Sequence, residues 1–191
     1  ATLRVVGERW KAGAVEYLGL SAPREDWGGT GFPKLWRYER HYHAELVALA
    51  GLSDAEPSAG WRELALELVR GWQARCPMPA GDAWEPYPVA RRVLSWSMAA
   101  ALAPRLAPEL APGIAAQVRF LAHHLEHHLL GNHLLCDAAA LVVGSCAVDG
   151  GGLARVHDRA MRLLARELTT QVLPDGGYAE RTAQYHAIVL R

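Results

Sequence analysis

Between Asp175 and His186 the sequence places a Gly-Gly turn, a carboxylate (Glu180), a guanidinium (Arg181), a phenol (Tyr185) and an imidazole (His186) within twelve positions. Side chains of these types move protons and meet anions. A second segment, Gly131-Asn132-His133-Leu134-Leu135, adds an amide and another imidazole where a helix is expected to begin. If the fold brings the two segments together, they form one acid-base site. Asn132 is equally suited to cap that helix, Tyr185 to be a core tyrosine with a satisfied hydroxyl, and Glu180 and Arg181 to pair as ions.

A competing signal is His123-His124-Leu125-Glu126-His127, which fits the H-x-x-E-H pattern of a zinc peptidase. Helical periodicity argues against it. The stripe Ile114, Val118, Leu121, Leu125 and Leu129 defines a buried face, with His123 and His127 pointing away from it and His124 and His128 flanking it. No metal and no cofactor is expected.

The elements that must position these groups are mainly helical. Apolar residues recur at three- and four-residue steps through Leu35, Tyr38, Tyr42, Leu46 and Leu49, and again through Trp61, Leu64, Leu68 and Trp72. Further helices are expected over Val89 to Leu102, Ile114 to Leu130 and His133 to Val148, then in a segment from about Val156 to Val172. A last one should start near Glu180. The His133 to Val148 segment is apolar nearly all round, which predicts an inner helix. The first thirty or so residues, with Gly28, Gly29, Gly31 and Pro33, allow a strand or two and a loop. The fold class is therefore all-α, with helical hairpins in inner and outer layers.

Twenty basic and twenty acidic residues cancel across the 191 positions. No nucleic-acid partner is expected, because that needs a strongly positive field. No membrane partner is expected either, since the longest apolar run is broken by Asp137 short of the roughly 20 residues a span needs. Cys76, Cys136 and Cys146 lack zinc-like spacing and read as small buried apolar groups. Trp61, Trp72 and Trp96 lie on apolar stripes and read as core. Trp36, Trp84 and Tyr87, with Arg92 nearby, are placed to line a sugar-binding groove.

Four segments occur in order: Leu35-Trp36-Arg37-Tyr38; Trp84-Glu85-Pro86-Tyr87-Pro88 with Arg92 and Trp96; His128 to Leu135; and Asp175-Gly176-Gly177 through Tyr185-His186. Together they resemble the N-terminal helical domain of heparinase II/III-type polysaccharide lyases, from about Trp27 to the end of the chain. The resemblance implies a partial (α/α) toroid over residues 34–191, preceded by an extension or loop region over 1–33. In full-length relatives a C-terminal β-sandwich follows, and this chain, which starts at Ala1 and stops inside an apolar pattern, reads as a stretch of a longer protein. The implied activity is a bacterial, periplasmic or secreted enzyme's β-elimination of uronic-acid-containing polysaccharide such as a glycosaminoglycan. Asn132 and Tyr185 fall at the family's catalytic asparagine and tyrosine. The chain departs from the usual pattern at Tyr178, Ala179 and Thr182-Ala183-Gln184. A further histidine that relatives supply from beyond this region has no counterpart here, which leaves open whether the chain acts alone.

In such an elimination the proton alpha to a carboxylate leaves while the glycosidic oxygen departs from the neighbouring carbon. The carboxylate must be neutralised by preorganised donors, for which Asn132 is suited with His133 or Arg181 as helpers. Tyr185, beside His186 and four residues after Arg181, is the candidate acid or base. Glu180 can orient Arg181 or hold a sugar hydroxyl. The alternatives are a glycan-binding or structural domain without turnover, a glycoside hydrolase, which needs paired carboxylates, and last a metallopeptidase.

Overall fold

The helical spacing is borne out in a computed structural model, which describes residues 2–129, 131–148, 152–183 and 186–187. Among these the elements run α1 (Thr2–Lys11), β1 (Ala14–Tyr17), β2 (Leu20–Pro23), α2 (Lys34–Arg40), α3 (Ala44–Ala55) and α4 (Trp61–Arg75). A short 3-10 turn at Asp82–Trp84 leads into α5 (Pro86–Leu102), α6 (Ala107–Ala122), α7 (Gly131–Cys146) and α8 (Ala154–Gln171). Pro86 and Pro88 sit in the first turn of α5, where a missing N–H costs nothing.

The two strands form an antiparallel hairpin with Tyr17 opposite Leu20. Leu18 and Gly19 turn it at φ of 55° and 75°, the left-handed pair that a two-residue hairpin turn needs. Helix α1 before it is not in the sequence expectation. Trp10, Val15, Tyr17 and Trp27 are buried in the same core as the later helices, and α1 packs on α3.

The helices pair as hairpins in chain order: α3 with α4, α5 with α6, and α7 with α8. Helix α5 also packs on α3 and α7, which makes it an inner helix with Val89, Ala90, Val93 and Trp96 buried. This is the all-α, partial toroid of hairpins. Helix α7 lies against α5, α6 and α8. At Gly144 an added Cβ would stand 2.6 Å from both Val93 and Val118, so the close approach of α7 to α5 and α6 depends on glycine.

Three sequence expectations need correction. The helix expected through Leu35 and Leu49 is two helices, because His43 between them takes a left-handed φ of 57° and its Nδ1 accepts a 2.9 Å bond from the Trp96 indole. The helix expected to reach Leu130 stops at Ala122, and Leu129, expected on its buried face, is exposed. Helix α7 is inner but not enclosed, since Val143 is exposed and Cys146, expected to be buried, is exposed as well.

Candidate functional site

Helix α7 starts at Gly131 with φ of +58°, a backbone conformation glycine adopts without cost. A Cβ there would lie 2.9 Å from a Glu180 carboxylate oxygen and 3.6 Å from the Tyr178 hydroxyl. The two motif segments therefore meet at this glycine.

Asn132, in the first turn of α7, and Arg91 of α5 both lie near enough to the Tyr87 hydroxyl at the start of α5 to lower its pKa. Asn132 lies inside α7, one residue past its start, rather than at the expected cap position. An amide nitrogen carries two hydrogens, so one turned to Tyr87 would leave Asn132 a second donor. Burial pushes the Tyr87 phenol up to about 12, with Arg91 and Asn132 pulling the other way, and it is a neutral hydroxyl at physiological pH.

The His133 ring stacks on Tyr87 with centroids 4.3 Å apart and 30° between planes. Its Nδ1 lies 3.0 Å from the Glu126 carboxylate, and the Glu126 backbone N–H donates to Asp137 Oδ2 at 3.0 Å. The hydrogen bond to Glu126 raises the His133 pKa above its ordinary value, burial opposes this, and the charges of Glu126, Asp137 and Glu180 add to the rise. Burial pushes the Asp137 carboxyl up to about 7. Glu126 and Asp137 as partners of His133 were missed in the sequence. The four-residue spacing of His133 and Asp137 on one helix face was the available signal.

The Asp175-Gly176-Gly177 turn is closed by bonds between Leu173 and Gly177 and from Gly177 N–H to Asp175 Oδ1. It returns the chain so that Ala179 N–H donates to Gln171 O at the end of α8. Tyr178 is buried there. Its hydroxyl lies 2.8 Å from Gln171 Oε1 and 3.4 Å from Glu180 Oε1. The Glu180 carboxylate accordingly faces Tyr178 and the start of α7.

Arg181 is exposed and left-handed at φ of 52°, and the helical turn beyond it begins at Ala183. The expected sharing of one helix face by Arg181 and Tyr185 therefore fails on the Arg181 side. Arg181 and His186 do line one open cleft of about 480 Å³ with Tyr178 and Thr182. Tyr185 lies outside the described residues.

The expected sugar groove divides. Tyr87 belongs to the site just described, whereas Trp36, Trp84 and Arg92 are core. Trp36 donates to Leu20 O at 2.9 Å and stacks on Phe32, and Trp84 donates to Cys76 O at 2.9 Å. Arg92, with 0% of its surface exposed, lies over the Trp72 ring and bonds Gln117, His41 O and Ala83 O. None of the three offers a surface to a polymer. A larger cleft of about 630 Å³, lined by Trp27, His41, Arg75 and Asp82 among others, holds none of the expected site residues.

The zinc-peptidase pattern also comes apart. Its glutamate, Glu126, turns inward to His133, while His123, His124, His127 and His128 are exposed on a non-helical stretch. Among the described residues no three His, Cys, Asp or Glu side chains stand together as a metal cage.

No protein-family profile matches this chain, and no curated protein matches it in sequence. Solved structures do match in fold. A mutant of heparan sulfate lyase HepC from Pedobacter heparinus superimposes with a TM-score of 0.78 at 18% identity, over 100% of this chain and 32% of the lyase. The unmutated HepC gives 0.74 at 18% identity over 99% and 32%, and a heparinase III gives 0.72 at 16% over 92% and 28%. The chain spans about a third of the length of these lyases and has the fold of their helical part. At this level of identity the likeness establishes the architecture, and it agrees with the resemblance carried by the four sequence segments.

Proposed function

We propose that this chain provides the helical part of a polysaccharide lyase site that cleaves uronate-containing, acidic polysaccharide by β-elimination. The observation that carries the reading is the meeting at Gly131 of the Asn132-His133 turn with the Tyr178-Glu180 segment. In this reading the Asn132 amide and the His133 imidazole receive the uronate carboxylate, so that charge developing at the alpha carbon meets fixed donors. Tyr185, beside His186 in sequence, moves the proton as acid or base. Glu180 accepts from a sugar hydroxyl. Heparan sulfate, the substrate named for the matching lyases, is the first polymer to try.

The test incubates the protein with a panel of uronate polysaccharides and follows ultraviolet absorbance of the unsaturated uronate product, with Asn132→Ala and Tyr185→Phe beside the wild type. The expected result is product from the wild type and a loss on the order of 100-fold or more in each folded variant. Binding without product on any polymer would instead establish a glycan-binding domain. Undiminished product from both variants would sink the residue assignment.

A further inference from the structure

Three carboxylates and one aromatic ring beside His133 favour its charged form. Glu126, from the stretch before α7, has only 8% of its side chain exposed and takes the Nδ1 hydrogen at 3.0 Å. Asp137 from α7 and Glu180 from the segment after α8 add negative charge, and the Tyr87 ring from α5 offers its face. The cation beside Tyr87 is Arg91 of α5, which also lies near enough to the Cys136 thiol to lower its pKa.

A carboxylate only accepts, so Nδ1 must carry the hydrogen and Nε2 becomes the working nitrogen. In the neutral ring Nε2 is a bare acceptor. In the imidazolium it is a donor. Among the described residues nothing hydrogen-bonds Nε2, and the side chain is 31% exposed.

We propose that Glu126 is a positioning residue that holds His133 as an imidazolium whose Nε2–H is offered to the substrate's uronate carboxylate; the nature of that anion rests on the lyase reading above. Glu126 touches no substrate itself. It acts by fixing the tautomer of His133 and by keeping it charged to higher pH than an ordinary histidine, as the Glu126 bond does to its pKa. The pattern glutamate of the apparent peptidase motif thus serves a different histidine from those beside it in sequence.

The experiment is a nitrogen-15 NMR titration of the His133 ring in the intact protein, wild type and Glu126→Gln, with circular dichroism to establish that the variant folds. Glutamine can accept the same hydrogen but brings no charge. The expected result is that the wild-type ring stays protonated at Nδ1 throughout, loses its proton from Nε2, and titrates above the ordinary histidine value. Glu126→Gln should lower that pKa. Loss of the proton from Nδ1, or the same His133 pKa in both proteins, overturns the proposal, and the wild-type titration alone decides the tautomer if the variant does not fold.

In an active enzyme the variant should also move the alkaline limb of kcat/KM to lower pH, with a loss of roughly tenfold above that limb and little below it. An unmoved limb counts against the proposal. Absence of turnover on every polymer would remove the lyase reading, while the NMR titration still decides the pairing.

Discussion

Tyr87 links the two helices that build the site: its ring supports His133 from beneath, and its hydroxyl lies near Asn132 and Arg91. These contributions can be separated, because phenylalanine keeps the ring and removes the oxygen. Tyr87→Phe should therefore leave His133 in place but free Asn132 to rotate, lowering kcat in the unsaturated-uronate assay by roughly tenfold for one misplaced donor. The protein should lose only about 1 kcal/mol of stability, the worth of an ordinary hydrogen bond. Urea unfolding run beside the kinetics checks both numbers. A large stability loss with unchanged kcat would make Tyr87 a packing residue only.

At the scale of elements, two glycines of α7 have different duties and should fail differently. Gly144 sits where α7 meets Val93 and Val118, so Gly144→Val should destabilise the fold by about 1–3 kcal/mol or more through overpacking, read as a lower urea midpoint. Gly131→Ala meets the movable end of Glu180 and a left-handed backbone, so about 1 kcal/mol is expected. Its larger effect should be on turnover, since it separates the two segments. Equal profiles for the two variants would argue against this division. Helices α4, α5 and α8 were legible in the sequence because their apolar stripes are long and regular, and α7 because it is apolar nearly all round, whereas α6 ends at Ala122, short of the expected Leu130. The break at His43 was not, because a left-handed residue between two helical patterns is held by a tertiary bond from Trp96, fifty-three positions away. The same limit explains the site. Asn132, His133 and Glu180 were visible as motif residues, but the Glu126 bond to His133 crosses a helix end that periodicity had smoothed over. Arg92 and Trp84 were misread as surface groups because a buried guanidinium between indoles carries the same composition as an exposed sugar platform.

For the molecule as a whole, the buried ionisable groups set how it responds to acid. His41 accepts from the Trp72 indole and His43 from the Trp96 indole, and burial holds the pKa of His41 down to about 3 and that of His43 well below the ordinary value. In the unfolded chain both titrate near 6.5. Between about pH 6.5 and 3 the unfolded state thus binds more protons at these two sites, and the stability they confer at neutral pH is lost as pH falls. Asp137 works in the opposite sense: burial raises its pKa to about 7 from an unfolded value near 3.9, so its contribution is full in acid and lost as pH rises through 7. Each group changes the unfolding free energy by at most about 1.4 kcal/mol per pH unit inside its window. Two histidines against one carboxyl leave a net loss of about that size per unit between pH 6 and 5. Urea unfolding at pH 6, 5.5 and 5, below the range where His133 and Asp137 take up their protons, should show the midpoint falling with acid. Asp137→Asn removes the opposing carboxyl, so its midpoint should fall more steeply than that of the wild type over the same interval. A midpoint that rises toward pH 5, or a slope that Asp137→Asn leaves unchanged, would mean that these three groups do not govern the acid response.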